Sequence, residues 1–181
     1  MSISSPIDFL HALYGNHPKA LAILLPHSKA VTNFALSLAK RLPSIDTPLL
    51  ERAALLHDCG IFLTHAPKIF CTGKAPYLSH GVLGAALLKK GGYDREAAIC
   101  ETHVGVGITK EMIIAQNLPL PHRDFIPQSI EAELVAYADC FFSKREGALT
   151  TQKPFEQALA EVSRFGEMPR ELFLKWHQKF Q

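Results

Sequence analysis

Six ionisable side chains stand on otherwise apolar helical stripes, and no other feature constrains this chain as much. Residues three or four apart share one face of a helix. His27 then lies with Ala30, Val31 and Phe34, and Asp139 lies between Val135 and Phe142. His57 shares its face with Ala53 and Ala54, Asp58 with Ala54 and Leu55. His80 falls with Leu83, Gly84 and Leu87, and His103 with Ile99 and Cys100. A buried carboxylate without a partner is costly, so a fold that turns these faces inward must pair the charges or bind a cation to them.

Helical periodicity covers most of the rest. Apolar stripes run over residues 27–41, 47–60, 79–90, 94–103, 109–117, 129–144, 155–165 and 169–180. Thr47-Pro48 offers a capping hydroxyl and a proline at the first helical position, and Asp94 and Thr109 are further caps. Residues 61–78, with Pro67, Pro76 and a Thr72-Gly73-Lys74 turn, read as an ordered loop, and 118–127 as a proline-marked one. No run of alternating apolar and polar residues marks a sheet. The expected fold class is all-α: a single-domain helical bundle over 1–181, with a metal-site core at about 27–145 and C-terminal helices in 151–181. A chain of 181 residues that is 48% hydrophobic can bury one such core.

Net charge is +2 with no Lys/Arg-rich block, which argues against a nucleic-acid partner. The apolar run Ala20 to Leu25 is too short for a signal peptide or a membrane span, so no membrane partner is expected. The four cysteines, Cys59, Cys71, Cys100 and Cys140, show no CxxC spacing and read as reduced thiols in a cytoplasmic protein.

A bundle has one middle, and the six polar groups must meet in it. Imidazoles and carboxylates at one place suit a divalent transition metal: iron, manganese, cobalt, nickel or zinc. Four histidines and two aspartates exceed what a closed four-ligand structural site needs. The surplus favours two ions with open positions, an arrangement used to hydrolyse phosphate esters and anhydrides.

The order His27, His57-Asp58, His80, His103, Asp139 resembles that of the HD-domain metal-dependent phosphohydrolase superfamily. "LLHDCG" is close to the common LLHDIG form, "SHGVLGAALLKKGGYDREAAICETHVG" resembles the segment carrying an extra histidine pair, and "RDFIPQSIEAELVAYAD" the last helix and its approach. The similarity spans roughly residues 27–145. It implies a helical bundle in which His27, His57, Asp58 and Asp139 hold one metal, with Asp58 bridging to a second held by His80 and His103. The plan is most similar to HD enzymes that split symmetrical dinucleoside tetraphosphates. Those tend to carry a lysine shortly after the HD pair, where this chain has Gly60-Ile61-Phe62.

The expected activity is cleavage of a phosphoester or phosphoanhydride bond in a small phosphorylated substrate, a nucleotide by the habit of the family, through a metal-activated hydroxide held at Asp58. Lys110, Arg123, Lys144 and Arg145 are the candidate phosphate contacts, and His65 the candidate proton donor to the leaving group. Two alternatives share the ligand set: a di-iron HD-type oxygenase, and a non-catalytic metal-stabilised nucleotide-binding module.

Overall fold

The computed structural model describes residues 5–181, and its described residues form nine α-helices and one two-stranded ribbon. The helices are α1 (Pro6–Leu13), α2 (Pro18–Ala39), α3 (Thr47–Leu56), α4 (His80–Lys90), α5 (Asp94–Thr102), α6 (Lys110–Ala115), α7 (Ile130–Asp139), α8 (Phe155–Ser163) and α9 (Glu167–Phe180). The fold is all-α. No helix among the described residues is long and apolar enough to cross a membrane.

Several boundaries follow the capping chemistry. Thr109 Oγ1 accepts from Met112 N–H and Ser129 Oγ from Ala132 N–H, both at 3.2 Å, and so they start α6 and α7. At α3 the cap is Asp46, whose Oδ1 accepts from Leu49 N–H at 3.0 Å; Thr47, the expected cap, is the first helical residue.

The structure departs from the sequence reading at α2, which begins at Pro18 and continues through Pro26 instead of starting at His27. Pro26 cannot donate to the carbonyl of Ala22, at a cost of about 3 kcal/mol. Burial of Ile23, Leu24 and Val31 on one stripe, about 1.5–3 kcal/mol each, outweighs it. Helices α3 and α7 also end sooner than their apolar stripes suggest, at Leu56 and Asp139. The region 61–78 contains short 3-10 turns and the ribbon β1 (His65–Ala66) and β2 (Cys71–Thr72), paired antiparallel.

Among the described residues three apolar clusters fill the interior, a small one around Ile108, Ile113, Leu120 and Phe125 and two larger ones. One joins Val31, Leu50, Val135, Tyr137 and Phe173 from α2, α3, α7 and α9. The other joins Leu10, Leu24, Leu56, Leu88 and Cys100 from α1 to α5. His27 stands on α2 between Leu24 of one cluster and Val31 of the other, so the polar residues occupy the seam. Helix α9 closes the outer face of α7: the rings of Tyr137 and Phe173 lie 5.2 Å apart, those of Tyr137 and Phe180 5.4 Å.

Glycines let α4 approach the turn after α3. A Cβ on Gly60 would sit 2.3 Å from His80 O, and one on Gly84 would sit 2.7 Å from Cys100 Sγ and 3.2 Å from Cys59 Sγ. This close approach sets His80 over Asp58. Cys59 and Cys100 are the small buried groups that fill what space remains, and all four cysteines are free thiols.

Candidate metal centre

The six polar groups converge. His27 projects from the middle of α2, and His57 and Asp58 form the turn that ends α3. His80 opens α4, His103 follows α5, and Asp139 ends α7. His27, His57, Asp58, His80 and His103 are all buried. Apart from His27, none sits in a helix interior: each stands where a helix starts or stops, and there the side chain can reach past the backbone to a common point.

Two groups of donor atoms share Asp58. Its Oδ2 lies 3.2 Å from His27 Nε2 and 3.1 Å from His57 Nε2, and Asp139 Oδ1 lies 3.0 and 3.4 Å from the same two nitrogens. Its Oδ1 lies 3.1 Å from His80 Nε2 and 3.5 Å from His103 Nε2, and those two nitrogens are 3.2 Å apart. Donors about 2.1 Å from one ion stand about 3.0 Å apart at octahedral edges and about 3.4 Å apart at tetrahedral ones. The observed separations, 3.0–3.5 Å, span the range between these two values.

Three of the four imidazoles are oriented by backbone carbonyls. His57 Nδ1–H donates to Ala54 O at 2.6 Å, His80 Nδ1–H to Tyr77 O at 2.7 Å, and His103 Nδ1–H to Cys100 O at 2.6 Å. A carbonyl only accepts, so Nδ1 carries a proton in each of these rings, and Nε2 faces the centre, where once unprotonated it offers its lone pair as metal-binding histidines do. Although so close, His57 Nε2, both Asp58 oxygens and Asp139 Oδ1 have no partner in hydrogen-bond geometry, nor does either nitrogen of His27. Buried polar atoms crowded together without hydrogen-bond geometry among themselves fit a divalent transition ion, or two of them sharing Asp58.

One cation of the chain itself is already present. Lys144, carried back by the turn after α7, places Nζ 2.6 Å from Asp58 Oδ2 and 3.8 Å from Asp139 Oδ1. Burial alone would raise the carboxyls of Asp58 and Asp139, but the Lys144 ammonium, and the imidazoles after it, hold both well below the usual carboxylate range. Burial likewise works against a charged His57, yet Asp58 and Asp139 lift it to about 10. Burial wins at His103, which falls to about 4 despite the Asp58 carboxylate beside it.

The other sequence candidates are distributed unevenly. Arg145 is exposed and lines a pocket of about 340 Å³ with Lys144 and Tyr77. Lys110 is exposed at the start of α6, where its backbone N–H donates to Asp124. His65 is exposed on β1 and pairs through its backbone with Ala75. Arg123 bonds Glu101 at 2.7 Å and lies over the Phe125 ring. It lines a wider cleft of about 570 Å³ with Leu49 and Glu131, near the starts of α3 and α7. Its Leu49 end lies about 12 Å along α3 from His57, its other end reaches Glu101 and Thr102 just before His103, and its charges are paired: Arg95 with Asp46, and Glu131 with Asp46 N–H. The structure therefore brings Lys144 into the cluster and Arg145 to its mouth, and brings in none of Lys110, Arg123 and His65. Sequence reasoning passed over Tyr77, whose ring packs 4.8 Å from that of His80. Its place three residues before a candidate ligand was the available signal.

The class this fold and site define is matched by comparison. The profile of the HD domain matches residues 24–142, and the chain belongs to that family. It is similar to an uncharacterized protein of Methanocaldococcus jannaschii, MJ0778, at 35% identity over 79% of this chain and 86% of that one. It is also 36% identical to a tRNA (cytidine(56)-2'-O)-methyltransferase of Picrophilus torridus over 65% of this chain and 30% of that protein. A ribonuclease Y of Clostridium botulinum is 32% identical over 69% of this chain and 19% of its own length. The matched part is thus under a third of these last two relatives. No solved structure gives a significant match.

Proposed function

We propose that this chain is a metal-dependent phosphohydrolase that cleaves a phosphoester or phosphoanhydride bond, with a nucleotide as substrate, and that it holds two divalent transition ions. The observation that carries the reading is the division of Asp58: one carboxylate oxygen faces His27 and His57, the other His80 and His103. In the proposed ligand set His27, His57, Asp58 and Asp139 take one ion, and Asp58, His80 and His103 take the other. Ions bound there would supply Lewis-acid charge for a phosphoryl group and would lower the pKa of a nucleophilic water.

The chain's own residues do the rest. Asp58 holds both halves of the site at one spacing. The carbonyls of Ala54, Tyr77 and Cys100 fix the rings of His57, His80 and His103. Lys144, the cation nearest the carboxylates, turns its ammonium to a phosphoryl oxygen. His65, Lys110 and Arg123 receive no role in this proposal. The whole chain acts as one unit, in which α8 and α9 brace α7 and so Asp139, and it works in the cytoplasm with reduced thiols.

Relatives that are named for acting on RNA support a nucleotide-containing substrate without fixing its size. The testing experiment is elemental analysis of chelator-free protein, followed by a screen of nucleotides and phosphate esters with the metal found. Two ions per chain, turnover of a phosphate ester and its loss in Asp58→Ala support the reading. Oxygen consumption by an iron-loaded protein would favour the oxygenase alternative, and full activity of Asp58→Ala would remove the proposal.

A further inference from the structure

Residues 108–125 form a closed loop with a core of its own. Its base is pinned by reciprocal backbone bonds, Ile108 N–H to Phe125 O at 3.1 Å and Phe125 N–H to Ile108 O at 2.8 Å. Inside, Ile108, Ile113, Leu120 and Phe125 are buried together, apart from the two larger clusters. Lys110 N–H donates to Asp124 Oδ1 at 2.8 Å, a further tie within the loop. The chain enters it by bending at Gly105 and Gly107, whose φ angles of 71° and 74° lie in the left-handed region that glycine adopts without strain. A surface loop with close ends and its own packing is suited to opening as one unit.

This loop rests on the back of the His80–His103 half of the site. Leu78 and Val82, at the start of α4, pack into its core. Val82 is two positions from His80 and so on the opposite side of the helix. Val104, which follows His103, packs there too. Two polar tethers complete the seat. Ser79 Oγ donates to Pro119 O at 3.0 Å, and Arg123 pairs with Glu101 at 2.7 Å while lying 4.3 Å from the centre of the Phe125 ring. At their far ends α4 and α5 are fixed otherwise, by Leu88 and Ala97 in the cluster that includes Leu10 and Leu24. His27 and Asp139 stand instead on helices whose Val31, Val135 and Ala138 belong to the other large cluster. We infer that residues 108–125 are a clasp: opening as a unit, it frees the ends of α4 and α5, and the ion at His80 and His103 leaves before the one at His27 and Asp139. The two halves of the centre thereby differ in lability although they share Asp58. The order of release rests on the two-ion reading; the opening itself does not.

Hydrogen exchange of the metal-free full chain tests the opening. The amides of Ile108, Ile113, Leu118 and Phe125, all bonded within the loop, should exchange as one group, at least about a hundredfold faster than those of Val31 and Val135 in α2 and α7. Ser79→Ala with Arg123→Ala removes both tethers and should speed that group about tenfold, the worth of one hydrogen bond and one exposed cation–π contact. Val31 and Val135 should not change, which also reports an intact fold. Cobalt-loaded protein challenged with EDTA tests the consequence. Release should have two phases, the faster one accelerated about tenfold by the double variant and absent from His80→Ala with His103→Ala. Loop amides that exchange no faster than those of α7, an unchanged rate in the double variant, or equal acceleration of both release phases overturns the inference. If the loop amides respond but the protein never holds more than one ion, the clasp opens as described and the two-ion reading fails. If two ions are held and leave in a single phase, the two-ion reading stands and the clasp fails.

Discussion

Lys144 Nζ lies 2.6 Å from Oδ2 of Asp58, the carboxylate that the two halves of the site share. A buried carboxylate with no metal beside it needs a positive charge, and this lysine provides one. A divalent ion bound through the same oxygen competes with the ammonium for it. Lys144→Met, which keeps the length and removes the charge, should therefore have two opposite effects. The chelated protein should lose about 3–5 kcal/mol of stability, because one partner of a buried pair is gone. Metal should bind at least about tenfold more tightly. Unfolding of the chelated protein and a competitive manganese titration read the two effects separately; weaker metal binding in the variant would count against the competition.

His80→Ala combined with His103→Ala removes two donors around Asp58 Oδ1 and none around Oδ2. Metal content should fall from two ions per chain to one, most activity should be lost, and far-ultraviolet circular dichroism should stay as it was. An unchanged stoichiometry would rule out the two-ion arrangement.

Proton accounting supplies a third prediction. In the metal-free protein His57 is held up to about 10 by Asp58 and Asp139 against the effect of burial, so it is charged at neutral pH. A folded-state value raised above the ordinary 6.5 contributes stability below that pH, and the contribution is lost as pH rises through about 10. His103, lowered to about 4, acts in the other direction: its contribution is present above 6.5 and lost as pH falls toward 4. The chelated protein should therefore melt highest near neutral pH and lose stability on both sides. A metal ligand must be unprotonated, so metal uptake at neutral pH should also release a proton from His57. Calorimetric enthalpies that differ between buffers of unequal ionisation enthalpy would show it; identical enthalpies would contradict it.

The approach of α4 to the turn after α3 gives a fourth. Gly84→Ala places a methyl against the thiols of Cys100 and Cys59. It should cost about 1–3 kcal/mol by overpacking, read by denaturant unfolding, and it should weaken the ion at His80 and His103 more than the one at His27 and Asp139. Equal weakening of both would mean that α4 moves as a body together with the rest of the site.

Much of this was readable from the chain because its signals are local. Thr109 and Ser129 cap where hydroxyls precede apolar stripes, and the six polar residues stand out because each interrupts such a stripe. What escaped depends on long-range packing. Pro26 looks like a helix break, yet the flanking Leu24 and Val31 are buried on the same stripe and carry the helix through it. Arg123 and Lys144 are equivalent in sequence, each a basic residue near a loop. Only the fold pairs the first with Glu101 and turns the second onto Asp58. The hairpin at residues 65–72 is too short to show any alternation.

The donor atoms come from α2, the turn after α3, α4, the end of α5 and the end of α7, with His27 and Asp139 near opposite limits of the matched family region. No short stretch of the chain contains even one complete half of the site. An ion therefore finds no template on a nascent or partly folded chain, and it binds only after the last of these helices has docked. Binding that is confined to the native state draws the equilibrium toward it by mass action. The ion acts as a latch on a finished topology rather than as a nucleus for making it, and metal retention in a truncated or mutated chain is a direct assay of whether folding reached completion.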